Sequence, residues 1–181
     1  EFLVTQPRES CLLDLNPAYP NQVVAQFAYC SDSDVFGMMI DARQEQKRWW
    51  GRLSGEARLV LMAGFADQVE KNLHRLVVAV VWEAGKSRGE AKAEVQELID
   101  MMRYYCRLYG QTNGLTIPLA TEEMAGRKAK FNRAVFRPYG VFTVISPFNF
   151  PVALCGGMSF GALLTGNAVI LKPAPETPLS A

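Results

Sequence analysis

Between Val35 and Tyr109 the apolar positions recur at helical spacing, broken by short polar punctuation. The first run carries Val35, Met38, Met39, Ala42 and Trp49, and the Ser31-Asp32-Ser33 cluster before it suits a helix N-cap. Trp49 and Trp50 are expected to close this helix before Gly51 and to pack against the next one. Ser54 opens that next helix, with Leu59, Met62, Ala63, Ala66 and Val69 on one face. Leu76 to Trp82 is almost wholly apolar and predicts a buried helix, with Gly85 as its left-handed stop. Ser87-Arg88-Gly89-Glu90 has capping-box spacing. The long helix it opens presents Ala91, Val95, Leu98, Ile99, Met102, Cys106 and Tyr109 on one stripe, with a stop at Gly110.

Outside this stretch the pattern shortens. Asn16-Pro17-Ala18 marks a turn, and Gln22 to Tyr29 alternates like a half-buried strand. Leu115-Thr116-Ile117-Pro118 and Ala129 to Arg137 read as the two arms of a hairpin whose basic and aromatic side chains suit solvent or a second subunit. Val141 to Ile145 is a strand, Pro151 to Leu164 a helix of small residues, and Ala168 to Leu171 a second strand that delivers Lys172-Pro173. That order predicts a βαβ unit with a right-handed crossover. Both of its strands end on one edge of the sheet, where open α/β sheets bind ligands. Asn149 and Lys172 are one amide and one cation delivered to that edge by an otherwise apolar segment.

The chain therefore divides into N-terminal strands and helices over 1–112, a hairpin over 113–139 and a first βαβ unit over 140–181. Two parallel strands cannot cover their own faces and edges, so the α/β fold is expected to be incomplete, a piece of a larger domain.

Composition narrows the chemistry. Nineteen basic and eighteen acidic residues leave a net charge of +1, with no electrostatic footprint for nucleic acid. Val141 to Leu171 is uncharged and long enough to span a bilayer, but Pro147, Asn149 and Pro151 break it, which favours a buried strand–helix–strand unit over a membrane segment. The single histidine, His74, sits in a helical run beside Leu73, Leu76 and Val77 and reads as a helix-surface residue; no partners stand at zinc spacing. Cys11, Cys30, Cys106 and Cys155 form no CxxC pair and read as free thiols in a reducing compartment.

Three segments carry a family resemblance: Arg137-Pro138-Tyr139-Gly140-Val141, Ile145-Ser146-Pro147-Phe148-Asn149-Phe150-Pro151, and Gly166-Asn167-Ala168-Val169-Ile170-Leu171-Lys172-Pro173 with Thr177-Pro178-Leu179 after it. Asn16-Pro17, Glu83-Ala84-Gly85-Lys86 and Met102-Arg103-Tyr104-Tyr105 add weaker support. In this order the chain resembles the N-terminal part of the aldehyde dehydrogenase superfamily. The resemblance implies helices plus the start of a Rossmann-like parallel sheet, with the hairpin as an oligomerisation excursion.

It also implies NAD(P)-dependent oxidation of a small-molecule aldehyde to a carboxylic acid, through a thioester on a cysteine beyond Ala181, in a homodimer or higher homo-oligomer. The general-base glutamate would likewise lie beyond Ala181, and the location would be the cytoplasm or a mitochondrial matrix. Asn149 matches the family's side-chain oxyanion donor; the alternative is an asparagine that caps the helix at Pro151. Lys172 matches the lysine that hydrogen-bonds the adenosine ribose of NAD or NADP; the alternative is a solvated strand-end lysine. Ile145, Ser146 and Pro147, with Phe148, Pro173 and Pro175, match the cofactor groove, while Phe150 and Glu97 match the aldehyde tunnel. Core packing for Phe150 and a solvated helix face for Glu97 compete with those roles.

Two departures sharpen the resemblance. Phe148 stands where many members have tryptophan; a subset resembling pyrroline-5-carboxylate (glutamate semialdehyde) dehydrogenases has phenylalanine, and the Glu97-Leu98-Ile99-Asp100 run also resembles that subset. Pro175 replaces an acidic or serine position near the ribose, which leaves the phosphate preference of the cofactor open. No G-x-G-x-x-G follows the first parallel strand, so a standard Rossmann phosphate turn is absent. Cys155, six residues after Asn149, has no predicted base or cation beside it and reads as an inert buried thiol. The competing reading is a catalytically inactive, truncated relative that serves as a binding or interaction module.

Overall fold

The computed structural model describes residues 11–120 and 131–181. Strand β1 (Cys11–Leu15) pairs antiparallel with β2 (Val23–Ala28), with an irregular register at Asp14/Leu15. The turn between them forms on Asn16, whose Oδ1 accepts from Ala18 N at 2.9 Å. Four helices follow: α1 (Asp32–Arg52), α2 (Gly55–Lys71), α3 (Leu73–Ala84) and α4 (Arg88–Gln111). Strand β3 (Thr116–Pro118) then pairs antiparallel with β4 (Arg133–Val135), the predicted hairpin. Residues 121–130 of its connection, which include Ala129 and Lys130 of the expected second arm, lie outside the described residues. Strand β5 (Val141–Ile145), helix α5 (Pro151–Leu164) and strand β6 (Ala168–Lys172) complete the order as a parallel βαβ unit.

Local signals placed the helix starts. Ser31 and Ser87 each close a full capping box, with Asp34 and Glu90, and Ser54 accepts from Ala57 N. Gly85 ends α3 at φ 67°. Helix stops were less well coded. Helix α1 continues through Gly51 to Arg52, and α4 runs past Gly110 to a C-cap at Thr112. A helix-interior glycine costs only about 1 kcal/mol against alanine, which surrounding hydrogen bonds can offset.

Helix α4 is the hub and packs on α2, α3 and α5. Its buried stripe of Ala91, Val95, Leu98, Ile99, Met102 and Tyr109 meets Met62 and Ala66 of α2, Val77 and Val80 of α3, and Val152, Phe160 and Leu164 of α5. Helices α4 and α5 approach closely because Gly156 and Gly157 face Leu98 and Met101; an added Cβ would lie 2.7 and 2.9 Å from those side chains. Helix α3 is not buried all round as its composition suggested: Val78 and Trp82 face solvent, and one face carries the packing. Helix α1 has no buried residue, rests on β5 and β6, and leaves Phe36, Met39 and Ile40 exposed.

The tryptophans pack, but not as a pair on the next helix. Trp49 Nε1 donates to Leu163 O of α5 at 2.8 Å, whereas Trp50 lies under the buried Arg58 guanidinium, 4.5 Å from its ring centroid. Arg58 also donates to Leu53 O and to the Tyr109 hydroxyl.

A second buried polar cluster joins distant parts of the chain. Glu83 accepts from Leu179 N, Ser180 N and the Ser180 hydroxyl. Asp14 lies beside it, buried, with Oδ2 unpartnered. Burial, and then the adjacent Glu83 carboxylate, push the Asp14 carboxyl up to about 7. A protonated Asp14 can donate to Glu83, which satisfies the orphaned oxygen.

Candidate functional site

The parallel register fixes the site. Val141 faces Ala168 at one end of the sheet and Ile145 faces Lys172 at the other, so both strands release their chains at the same edge. Ser146 N donates to Lys172 O at 3.3 Å, the last link between the two strand ends. Beyond it, residues 147–150 form the loop that leads into α5. The sequence-predicted pair, Asn149 and Lys172, thus leaves the sheet on one side.

The side chains here are open. Ile145, Phe148, Asn149 and Phe150 are exposed, and so are Lys172 and Pro175. Among the described residues nothing hydrogen-bonds the Asn149 carboxamide, and Lys172 Nζ reaches only the neighbouring Pro173 O, at 3.1 Å. Ser146 is the exception: it is 4 % exposed, yet its hydroxyl has no partner. An unpartnered buried hydroxyl in a folded chain is uncommon, and this one sits at the strand edge where ligands bind in open α/β sheets.

The alternative role of Asn149, capping α5, does not occur. The N-cap is Phe150, with no side-chain hydrogen bond, and Pro151 occupies the first turn. The free N–H groups of that turn are taken from elsewhere. Glu94 of α4, fully buried, accepts from Val152 N at 2.9 Å and from Ala153 N at 3.2 Å through Oε1. Its Oε2 accepts from Lys86 Nζ at 2.6 Å, and that ammonium lies 3.7 Å from the centroid of the Phe150 ring. The carboxylate complements the positive end of the α5 dipole. It also occupies the position where a Rossmann fold would seat a pyrophosphate. The missing glycine motif therefore has a structural counterpart: the helix N-terminus that would need it is already closed by a carboxylate.

Glu97 is exposed on α4 and lines a surface hollow of about 590 Å³ with Gln96, Asp100, Met101, Tyr104 and Tyr105; Phe150 is not part of it. A groove of about 720 Å³ between α1 and β6, lined by Met38, Trp49, Leu163 and Val169 among others, contains none of the predicted site residues. Cys155 is buried inside α5, and burial raises its thiol above the ordinary value. His74 is exposed, as a helix-surface residue should be.

Sequence reasoning missed Lys86 and Glu94. A signal existed: Glu94 lies at helical spacing from Ala91 and Leu98, a charge inside an apolar stripe, and Phe150-Pro151 offers α5 no capping side chain.

The aldehyde dehydrogenase family pattern matches residues 4–181. The chain is 34% identical over 174 residues to 1-pyrroline-5-carboxylate dehydrogenase of Anoxybacillus flavithermus, and 35% identical over 174 residues to that of Geobacillus kaustophilus. Both matches cover 96% of this chain and 32% of the relative, so the chain spans about a third of the length of these proteins. Among solved structures, 1-pyrroline-5-carboxylate dehydrogenase from Thermus with bound NAD aligns with a TM-score of 0.81 at 29% identity, over 96% of this chain and 32% of that one. An NAD-dependent benzaldehyde dehydrogenase from Corynebacterium glutamicum aligns at 0.79 and 26% identity, over 95% and 36%.

Proposed function

This chain belongs to the aldehyde dehydrogenase family, and we propose that it forms the cofactor-side part of an enzyme that oxidises an aldehyde to a carboxylic acid with NAD or NADP. The observation that carries this reading is the shared sheet edge: Ile145 opposite Lys172, with the Asn149 loop rising from the same rim. The likeness to pyrroline-5-carboxylate dehydrogenases supports glutamate semialdehyde as the substrate.

The residues at the rim fit a dinucleotide. Ser146 has an unpartnered buried hydroxyl and Lys172 an exposed ammonium, and Ile145, Pro147, Phe148, Pro173 and Pro175 are their near neighbours along the two chain segments. Lys172 would donate to the ribose, and these neighbours would line the groove. A nicotinamide bound at this rim would supply the acceptor for the hydride of the substrate carbon. Asn149 would donate its carboxamide N–H to the carbonyl oxygen as that oxygen gains negative charge. A donor already in place needs no reorganisation at that moment, and one such donor is worth about 10²–10³ in rate. Phe150 and Glu97 would border the aldehyde's path. Cys155 is not assigned as the nucleophile, because its thiol is buried and its pKa is raised.

The test uses the full-length protein with glutamate semialdehyde and with simple aliphatic aldehydes, following the reduction of NAD and of NADP. Turnover is expected with the semialdehyde, and Asn149→Ala should lower kcat by about 10²–10³ with the cofactor constant unchanged. Absence of turnover with every aldehyde would overturn the reading.

A further inference from the structure

We infer that the Lys86–Glu94 ion pair is the device that positions the Asn149 carboxamide. The inference rests on the oxyanion reading of Asn149 and names the residues on which that reading depends. The loop that carries Asn149 is tethered on both sides, and the tethers differ in strength. Upstream, Ser146 N reaches Lys172 O at 3.3 Å and Thr177 Oγ1 reaches Phe148 O at 3.5 Å, both at the weak end of hydrogen bonding. Downstream, Glu94 takes two backbone N–H groups of the first turn of α5 at 2.9 and 3.2 Å, and Lys86 grips Glu94 at 2.6 Å. Lys86 also lies 3.7 Å from the ring centroid of Phe150, the residue directly after Asn149. Charge-assisted hydrogen bonds and a desolvated cation–π contact are the stronger class.

The pair is well shielded, with side-chain exposures of 16% for Lys86 and 0% for Glu94. The backbone that follows Asn149 is therefore clamped from a separate helix, while the Asn149 side chain is left free. A clamp of this kind suits a donor that must meet a reacting oxygen within a fraction of an ångström, since a misplacement of about 1 Å can cost about 10²-fold in rate. Neither Lys86 nor Glu94 needs to touch substrate or cofactor.

The test is a double-mutant cycle in the full-length protein with aldehyde and NAD. Lys86→Met should lower kcat about tenfold or more, with the cofactor Kd within about twofold of the parent because binding is spared. Lys86→Arg should recover most of the loss. In the Asn149→Ala background, Lys86→Met should add nothing to the kcat loss, since its effect passes through a side chain no longer present. If Lys86→Met leaves an unpartnered buried carboxylate that unfolds the protein, Lys86→Met with Glu94→Gln removes both charges and carries the same cycle.

Losses that multiply across the cycle, or an unchanged kcat in folded Lys86→Met, would reduce the pair to a helix–helix link and overturn the inference alone. A parental kcat in Asn149→Ala would overturn both the inference and the oxyanion reading beneath it.

Discussion

The two ends of the β5–α5–β6 unit are built on opposite plans. At the amino edge the Asn167 carboxamide is fully spent. Asn167, 3% exposed, accepts from Gly140 N at 2.9 Å and donates to Ala162 O at 3.1 Å and Thr165 Oγ1 at 3.0 Å. Gln46 donates to Gly166 O and Trp49 to Leu163 O, so α1 is tied to the same turn. At the carboxyl edge, among the described residues, the Asn149 carboxamide has no hydrogen-bond partner, Lys172 Nζ donates only to Pro173 O and the Ser146 hydroxyl is orphaned. One unit thus concentrates its structural hydrogen bonds at one rim and leaves the donors at the other for something else. Groups already paired cannot respond to a ligand, and groups meant to respond must be held by their backbone alone. The Glu94 cap on α5 provides that backbone support.

The contrast can be broken from either end. The largest effect on folding is expected from Gly166→Ala. Gly166 has φ 91°, and an added Cβ would lie 2.3 Å from the Trp50 ring. Backbone strain and overpacking together should cost about 3 kcal/mol or more, read as a lowered urea midpoint; a midpoint unchanged from the parent would remove the turn from the structural rim. Asn167→Ala should come next, at about 2 kcal/mol, because it leaves Gly140 N without its buried acceptor, while Ala162 O keeps Asn167 N and Thr165 Oγ1. Its kcat, in whatever fraction folds, should stay near the parent value. At the other rim Lys172→Met should leave the unfolding free energy within about 0.5 kcal/mol of the parent. It should raise the apparent cofactor constant about tenfold, the worth of a charge-assisted hydrogen bond of about 1.5 kcal/mol. Equal destabilisation by Lys172→Met and Asn167→Ala would erase the distinction between the rims.

The most specific effect is a dependence on pH. The folded pKa of Asp14, about 7, is above its ordinary 3.8. The folded state then holds the proton more tightly than the unfolded chain, so this contribution to stability is complete below about pH 4. It is lost as pH rises towards about 7 and beyond. Asp14→Asn, which resembles the protonated acid, should flatten the decline of the urea midpoint between pH 5 and pH 8. If the variant kept the parent's slope, the Asp14–Glu83 contact would not be its source.

Much of this was legible in the amino-acid order because its causes are local. Ser31, Ser54 and Ser87 cap within a turn of themselves, and Gly85 supplies a left-handed stop where the chain must turn away. The β5–α5–β6 order and the shared edge follow from the period of the apolar residues and the handedness of crossovers. The helix stops at Gly51 and Gly110 were misread because a helix can run through a glycine when its surroundings favour it. Asn149 as a cap failed for a different reason: a better acceptor arrived from another helix.

What the sequence determined by itself was therefore the set of elements, their order and the edge to which Asn149 and Lys172 are sent. Tertiary structure alone decided which distant groups close the open valences. Glu94 caps a helix 58 residues downstream, Glu83 takes the amides of Leu179 and Ser180, and Trp49 finds a carbonyl 114 residues away. Propensity and capping act over one helical turn. Pairing of buried charges depends on which helices pack together, and that is set by the whole core rather than by any neighbouring residue.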